Sequence, residues 1–581
     1  MAPSIVHLPN GQILTVTPVF GGIQFKNNDL NTHHNVFPPG WAIVLHSEDE
    51  EEDHADLPKP STVAHTHPDP DAKASTASQS PAGQQLQKQH HVHRYRRPTL
   101  RHDHLFISSI SNPSSTEFRP ASSPTRQIAM MLWATLWWYF HQPTPSPYLT
   151  TPASAQTPEE GRPKGEWRIN INREGIFKGK HTLPKLERMG LIASEDSTVG
   201  TDPDDGVRNT GEGWSKMFIS QRSFWQLDAR IYLFTLPPAQ ANSPYPSVSP
   251  AVSRAASPNR NSTVNLDASA TSGAMAHALN RTSTPPGPFT SGSHLPTFYP
   301  PPPLQYVFTN GIRHPIRPKP PRQGETIYTR YIPSLGQWLS FRVASLSPKP
   351  VPYRGPAALG EATPFGPGTR ESLRAGTTPT TSDCSIPTVK GLNLQDQSHQ
   401  GGEQQAPSST PETLAMTDTE LLHKWMNDPR VAYSWGETGP LSHQQTFLTH
   451  ALTSKHSFPV IGCFDGKPFG FFEIYWVKED RLAAHMSGGA GDWCRGLHVL
   501  VGEQEFRGPQ RVRCWLSALV HYCWLADLRT GAVVMEPRVD NEKLRRYCES
   551  VGFYKEREVA FPHKQSNLMK IKREAWERPE L

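Results

Sequence analysis

Stretches with a clear hydrophobic period alternate along the chain with stretches that have none. Over residues 1–46 the runs Ile13-Leu14-Thr15-Val16-Thr17, Gly22-Ile23-Gln24-Phe25 and Trp41-Ala42-Ile43-Val44-Leu45 are rich in β-branched and aromatic residues and predict short strands. An acidic run, Glu48 to Asp53, opens a Ser/Ala/Gln/His-rich stretch to about residue 90 with too little apolar content to pack. Order resumes with Leu105-Phe106-Ile107-Ser108 and an apolar helix, Arg126–His141, with Pro124 before it, Ser122 and Ser123 as candidate caps, and Pro143 closing it. Trp167-Arg168-Ile169-Asn170-Ile171 and Trp225–Leu233 read as further strands. A Pro/Ser/Thr-rich gap covers about 237–303, a strand-like island follows at Ile327–Val343, and about 347–410 reads as flexible linker.

From Pro411 onward, helix and strand periods alternate without long breaks. Thr417–Met426 has capping residues followed by apolar spacing of three and four, hence a helix. Two apolar runs, Phe458–Phe464 and Phe469–Trp476, flank Asp465-Gly466, a hairpin signal. A strand centred on His498, a helix Val512–Ala526, a strand Gly531–Glu536, a short helix Asn541–Ser550 and strands near Phe553–Phe561 and Leu568–Lys572 complete the block. The pattern predicts an α/β (α+β) protein in three parts. An N-terminal mixed α/β domain spans 1–346, with disordered insertions at about 47–90 and 237–303; a linker spans 347–410; a compact domain spans 411–581.

Composition narrows the function classes. The 59 prolines and 35% hydrophobic residues in 581 positions fit a chain of which much is unpacked. A net charge of +5 is small for this length, so nucleic acid is not an expected partner. Six cysteines, five of them from Cys463 onward, match neither a disulfide framework nor a paired CxxC zinc site, which points to a reducing compartment. The N-terminus lacks the basic and apolar regions of a secretory signal, and the last residues are not a peroxisomal tripeptide. Ile128–Phe140 is too short to span a bilayer. A cytoplasmic protein with no membrane partner is expected, and a homo-oligomer is compatible with this picture.

The chemistry concentrates where the His498 strand meets the next helix. Arg495–Val501 runs into a loop containing Gly502, Arg507, Gly508, Pro509, Gln510, Arg511 and Val512, and that loop opens the helix. Free N–H groups and the positive end of a helix dipole converge there, which makes a pyrophosphate site. No P-loop lysine-serine pair is present, and a histidine stands beside the loop, so acyl-CoA is favoured over a nucleotide. Leu500, Val501, Gly502, Arg507, Gly508, Pro509, Gln510, Arg511 and Val512, with Asn541 at the start of the following helix, are the candidate cofactor-binding residues.

Five blocks in order carry a family resemblance: Trp425-Met426-Asn427-Asp428-Pro429-Arg430-Val431, Glu473-Ile474-Tyr475-Trp476, Gly496-Leu497-His498, Arg507-Gly508-Pro509 and Glu536-Pro537-Arg538-Val539-Asp540-Asn541. Together they resemble the siderophore branch of the GNAT acyltransferases, which act on N-hydroxyornithine or N-hydroxylysine; the resemblance covers a little over a quarter of the chain tightly. The N-terminal blocks resemble, less diagnostically, the extra region of fungal hydroxyornithine transacylases. The resemblance implies a GNAT fold, an acyl-CoA co-substrate, and a catalytic histidine and carboxylate that map to His498 and Glu536. Bacterial members can carry aspartate at the second place, so Glu536 is a small departure. The superfamily's leaving-group tyrosine position falls on Cys548, with Tyr547 facing another direction, so no tyrosine acid is expected.

Trp435, Tyr475, Trp476, Lys478 and Arg481 are the candidate substrate-binding residues, as pocket walls or as contacts for a zwitterionic amino acid. Each has a blander reading as core packing or a solvated loop, and Glu536 equally suits a structural ion pair with Arg538 or Arg545. The histidines His90, His91, His93, His102 and His104 lack acidic or cysteine neighbours in sequence, so no metal is expected there. Trp133, Trp137 and Trp138 read as core of the first domain, which could itself be a degenerate acyltransferase-like fold. The leading function is acylation of the hydroxylamine nitrogen of N5-hydroxyornithine in hydroxamate siderophore biosynthesis, with acetyl-CoA or a larger branched acyl-CoA as donor. Two alternatives stand: a GNAT enzyme for a protein lysine or small amine, and a non-catalytic scaffold with a vestigial fold.

Overall fold

Two sheets built on one strand order pack around a shared core. The computed structural model describes residues 2–28, 37–48, 92–111, 124–179, 181–194, 217–227, 304–353 and 415–581. The expected insertions and linker fall almost wholly outside them, although the strand ending at Glu48 and residues 347–353 are described.

The first sheet takes β1 (Ser4–His7), β2 (Ile13–Val19), β3 (Gly22–Asn27), β4 (Gly40–Glu48), β5 (Val92–Arg94), β6 (Asp103–Ser111), β7 (Arg168–Ile171), β8 (Ala193–Ser194) and β9 (Met217–Ser220). Helix α1 (Pro124–Phe140) links β6 to β7, α2 (Thr182–Arg188) precedes β8, and α3 (Gln221–Trp225) follows β9. The strand order is β1-β2-β3-β4-β6-β7-β9-β8, with β6 and β7 parallel and β5 paired on β4.

A hairpin, β10 (Tyr306–Thr309) and β11 (Ile312–Pro315), stands apart. The second sheet then begins with β12 (Thr326–Ile332) and β13 (Gln337–Val343), followed by α4 (Asp418–Met426), α5 (Pro429–Trp435), α6 (Leu441–Thr453), β14 (Ser457–Phe464), β15 (Lys467–Trp476) and β16 (Arg495–Val501). Helix α7 (Pro509–Ala526) crosses to β17 (Ala532–Met535), and α8 (Glu542–Ser550), β18 (Tyr554–Phe561) and β19 (Lys564–Lys572) close the fold. Its order, β12-β13-β14-β15-β16-β17-β19-β18, repeats the first: five antiparallel strands, a helical crossover to a parallel sixth, and an inverted closing pair. The first half therefore has the topology of the second.

Two differences from the sequence reading have local causes. Residues 326–343, placed in the N-terminal domain by the sequence, supply the edge of the C-terminal sheet through the β13–β14 ladder. Trp225 ends a helix rather than opening a strand, because the Ser220 side chain caps the N–H of Ser223 and starts a turn; residues 228–233 lie outside the described set. Trp435 sits in the last turn of α5, closed by Gly436 in the left-handed region. Helix α1 starts at Pro124, with Ser122 and Ser123 outside the described residues.

Both crossover helices are apolar nearly all round because both sides are covered. Trp133, Trp137 and Trp138 of α1 and Trp515 and Trp524 of α7 are almost fully buried. A polar relay joins the halves: Arg330 Nε donates to the Tyr328 hydroxyl, which lies 2.9 Å from His521 Nδ1, and His521 Nε2 lies 2.8 Å from the Trp225 carbonyl. Burial, aided by Arg330, pushes the His521 pKa far down, so its ring is neutral and bridges as donor and acceptor.

Candidate active site

The site begins where a ladder stops. Strands β16 and β17 pair in parallel only at Arg495–Val533 and Gly496–Val534. Strand β17 ends at Met535, and Pro537 soon after lacks the N–H needed to continue it. The strands diverge, and a cavity of about 450 Å³ opens between Leu497–Val501 on one side and Met535–Arg538 on the other. The equivalent split between β6 and β7 is filled: the turn at Gly175 packs so closely on β6 that a Cβ there would lie 2.0 Å from the Ile107 carbonyl oxygen. By register, Ile107 also occupies the place that His498 holds in the second sheet.

His498 stands in the cavity wall between two carboxylates. Its Nδ1 is 2.9 Å from Glu473 Oε2 on the neighbouring strand, and its Nε2 is 2.6 Å from Glu536 Oε1 across the split. Tyr475 donates its hydroxyl to Glu536 Oε2 at 3.0 Å and lays its ring against the imidazole, 4.6 Å between centroids. Gly496 permits that arrangement, since a Cβ there would sit 2.1 Å from the Tyr475 ring. Lys564 Nζ approaches Glu536 at 3.6 Å. Burial lowers the basicity of His498, but the charges and hydrogen bonds of Glu536 and Glu473 outweigh it and raise its pKa to about 10. Burial works against ionised Glu536, yet His498 and Lys564 bring it down to about 2. At neutral pH the imidazole is therefore charged and held at both nitrogens.

The other end of the cavity is cationic. Gly508 precedes α7 with φ 124° and ψ 156°, a backbone that L side chains rarely adopt. Pro509 follows at the first helical position and no side chain caps this terminus, so the N–H groups of Gln510 and Arg511 lack intrahelical partners. Arg507 lines the cavity, its pKa lowered by burial and then by nearby Arg430, which lines it too. Two like charges held together beside a helix N-terminus suit a polyanion.

The acetyltransferase (GNAT) domain family matches residues 415–561. The N5-hydroxyornithine acetylase sidL of Beauveria bassiana is 45% identical over 586 residues, covering 97% of this chain and all of that one. The chain belongs to the siderophore N-acyltransferase family. Two further relatives match over a shorter stretch. The N(6)-hydroxylysine O-acetyltransferase of Escherichia coli is 47% identical over 26% of this chain and 48% of its own. The N(5)-hydroxyornithine:cis-anhydromevalonyl coenzyme A-N(5)-transacylase of Beauveria bassiana is 43% identical over 27% of this chain and 35% of its own.

In this siderophore N-acyltransferase the cavity gathers His498, Glu536, Leu500, Val501, Arg507, Gly508, Val512, Asn541, Trp435 and Arg481 from the residues the sequence singled out. Others lie elsewhere. Arg511 hydrogen-bonds Gln337 and stacks on Phe464 and Phe506. Trp476 lies beneath Arg495 and Arg317, while Lys478 pairs with Asp492, so both serve the packing around the β10–β11 hairpin. Tyr475 is buried behind His498 and Glu536, and Gly502, where a Cβ would meet Trp425 at 2.2 Å, makes room for that indole. Pro509 and Gln510 contribute backbone at the helix start.

Sequence reasoning missed Glu473, although its alternation with Tyr475 and pairing opposite His498 followed from the strand pattern. It also misplaced the tyrosine: Cys548 is buried 3.9 Å from the Met535 sulfur, whereas Tyr547 faces the cavity. Asp480, Lys543, Phe561, His563 and Lys564 join the lining from the segment after β15, the start of α8 and the β18–β19 turn with its flanking strand ends, which no local motif marks. Among the described residues no helix is long and apolar enough to cross a membrane.

Proposed function

We propose that this chain transfers the acyl group of acetyl-CoA to the hydroxylamine nitrogen of N5-hydroxyornithine, with His498 and Glu536 as the catalytic pair. The bracketing of His498 by Glu473 and Glu536 in the cavity wall carries this reading. An alkylamine is protonated near neutrality and needs a strong base before it can attack. A hydroxylamine nitrogen is far less basic, so it arrives neutral, and the tetrahedral adduct formed on its attack is a strong acid. A carboxylate is then base enough. A site whose imidazole is already charged suits such a nucleophile and does not suit a lysine amine.

In this reading the diphosphate rests on the N–H groups at the start of α7 beside Arg507 and Arg430, and the pantetheine arm lies in the split between β16 and β17. The nitrogen lone pair attacks the thioester carbonyl. Its proton passes to the carboxylates that flank His498, which pins them and balances their charge. The C–S bond then breaks, the thiolate takes a proton from Tyr547, and the proton held by the carboxylate returns to the phenolate through solvent, restoring both groups. The products are a hydroxamate and CoA. Asp480, whose pKa is raised by burial, and Arg481 hold the ammonium and carboxylate ends of the amino acid.

Acetyl as the donor is supported by the name of the relative that matches nearly end to end. A cytosolic setting is supported by the five described cysteines, all free and buried. The test is thiol release from acetyl-CoA with N5-hydroxyornithine and ornithine in parallel, with hydroxamate detected by its ferric complex. Turnover with the hydroxylated acceptor alone is expected; equal turnover with ornithine would overturn the reading.

A further inference from the structure

The histidine-rich stretch ending at His104 has partners that are remote in sequence. On β4, His46 and Glu48 are two residues apart and so share one face of the sheet. His104 on β6 is the direct cross-strand partner of His46. One ligand atom from each of the three lies within 4.8 Å of the others. His104 Nε2 is 3.3 Å from Glu48 Oε2, and His46 Nε2 is 3.9 Å from Glu48 Oε1. The side chains are 16%, 29% and 17% exposed for His46, Glu48 and His104, shielded yet reachable.

The hydrogen bonds around His104 fix what its second nitrogen offers. Nδ1 lies 3.0 Å from Asn172 Oδ1, an acceptor, so the ring proton belongs on Nδ1. Nε2 then presents a lone pair toward a carboxylate oxygen, and it accepts a long N–H contact from the Asn170 amide at 3.3 Å. Two acceptors facing each other repel unless a cation lies between them.

We propose that His46, Glu48 and His104 bind one divalent transition-metal ion of the zinc type, with water completing its shell. Two imidazoles and a carboxylate favour such ions over magnesium or calcium. Asn172 is the positioning residue that fixes the His104 tautomer, as acceptors behind metal-bound imidazoles do. The ion would clamp the end of β4 to the start of β6, in the half of the protein whose strand split is filled.

The test uses the full chain, stripped with chelator and titrated with Zn²⁺ by calorimetry and with Co²⁺ by visible absorption. The chain has 26 histidines, so the readout is the difference between variants. Wild type is expected to bind one equivalent more than Glu48→Gln or the double variant His46→Ala/His104→Ala. Asn172→Leu should keep the stoichiometry and weaken affinity about 10- to 100-fold. Zn²⁺ should raise the melting temperature of wild type and not of Glu48→Gln. All variants should retain acyl transfer, since none of these residues lines the cavity, and that activity reports an intact fold. Equal stoichiometry and affinity in wild type and Glu48→Gln would overturn the proposal, as would a proton alone filling the gap, seen as no Zn²⁺ uptake by wild type.

Discussion

Glu536 Oε1 lies 2.6 Å from Nε2 of His498, joining the strands that otherwise part to form the cavity. The contact bridges the split beyond the last parallel pair, so it both closes the inner end of the cleft and sets the charge of the ring. Removing the carboxylate charge while keeping its shape should disable proton transfer. Glu536→Gln is expected to lower kcat by about 10²- to 10⁴-fold. Its affinity for CoA, measured by calorimetry, should stay within about 2-fold, because the diphosphate end is untouched.

The same pair should write a signature into stability against pH. His498 is raised from 6.5 to about 10, so its contribution is complete below pH 6.5 and is lost as pH climbs through about 10. Glu536 is depressed from 4.5 to about 2, so its contribution is complete above pH 4.5 and is lost as pH falls through about 2. Between pH 4.5 and 6.5 both are fully present. Thermal melts of wild type and Glu536→Gln should therefore differ most in that window, and the gap should shrink toward pH 10.

Tyr547, and not Cys548, lines the cavity, and in the proposed reaction it is the proton donor to the leaving thiolate. Tyr547→Phe is expected to reduce kcat by about 10²-fold with little change in KM for acetyl-CoA. Cys548→Ser, at a buried site against Met535, should instead lower stability and leave the rate per folded molecule unchanged. Steady-state kinetics beside thermal melts separate the two effects.

Gly508 turns the chain at φ 124° into the first turn of α7. No atom lies within 4 Å of where its Cβ would be, so the penalty for Gly508→Ala is backbone strain alone, about 1–3 kcal/mol. The loop should relax by moving the N–H groups that follow. KM for acetyl-CoA is expected to rise about 10-fold or more, with the acceptor KM unaffected. Initial rates with each substrate varied in turn check this.

Much of the C-terminal architecture was legible because its signals are local. The Thr417–Glu420 capping box, the Asp465-Gly466 turn and the apolar period of α7 each declare an element within a few residues. His498 and Glu536 were found because a strand, a glycine loop and a helix lie consecutively in the chain. The hairpin β12–β13 was placed in the wrong half because nothing within residues 326–343 records that its partner is β14, more than a hundred residues on. Lys478 and Trp476 misled for a similar reason: their partners Asp492 and Arg317 come from other elements. The topological repeat was suspected from a mixture of strands and one apolar helix. Only the ladders, β6 parallel to β7 as β16 is to β17, give it substance.

The most direct measurement is a crystal structure of the full chain with bound CoA. The expected result places the diphosphate on the backbone N–H groups of Gln510 and Arg511, the pantetheine between β16 and β17, and the sulfur beside Tyr547 with His498 still held by Glu473 and Glu536. A diphosphate bound elsewhere, or an imidazole turned away from the sulfur into apolar packing, would contradict the proposed acyl transfer.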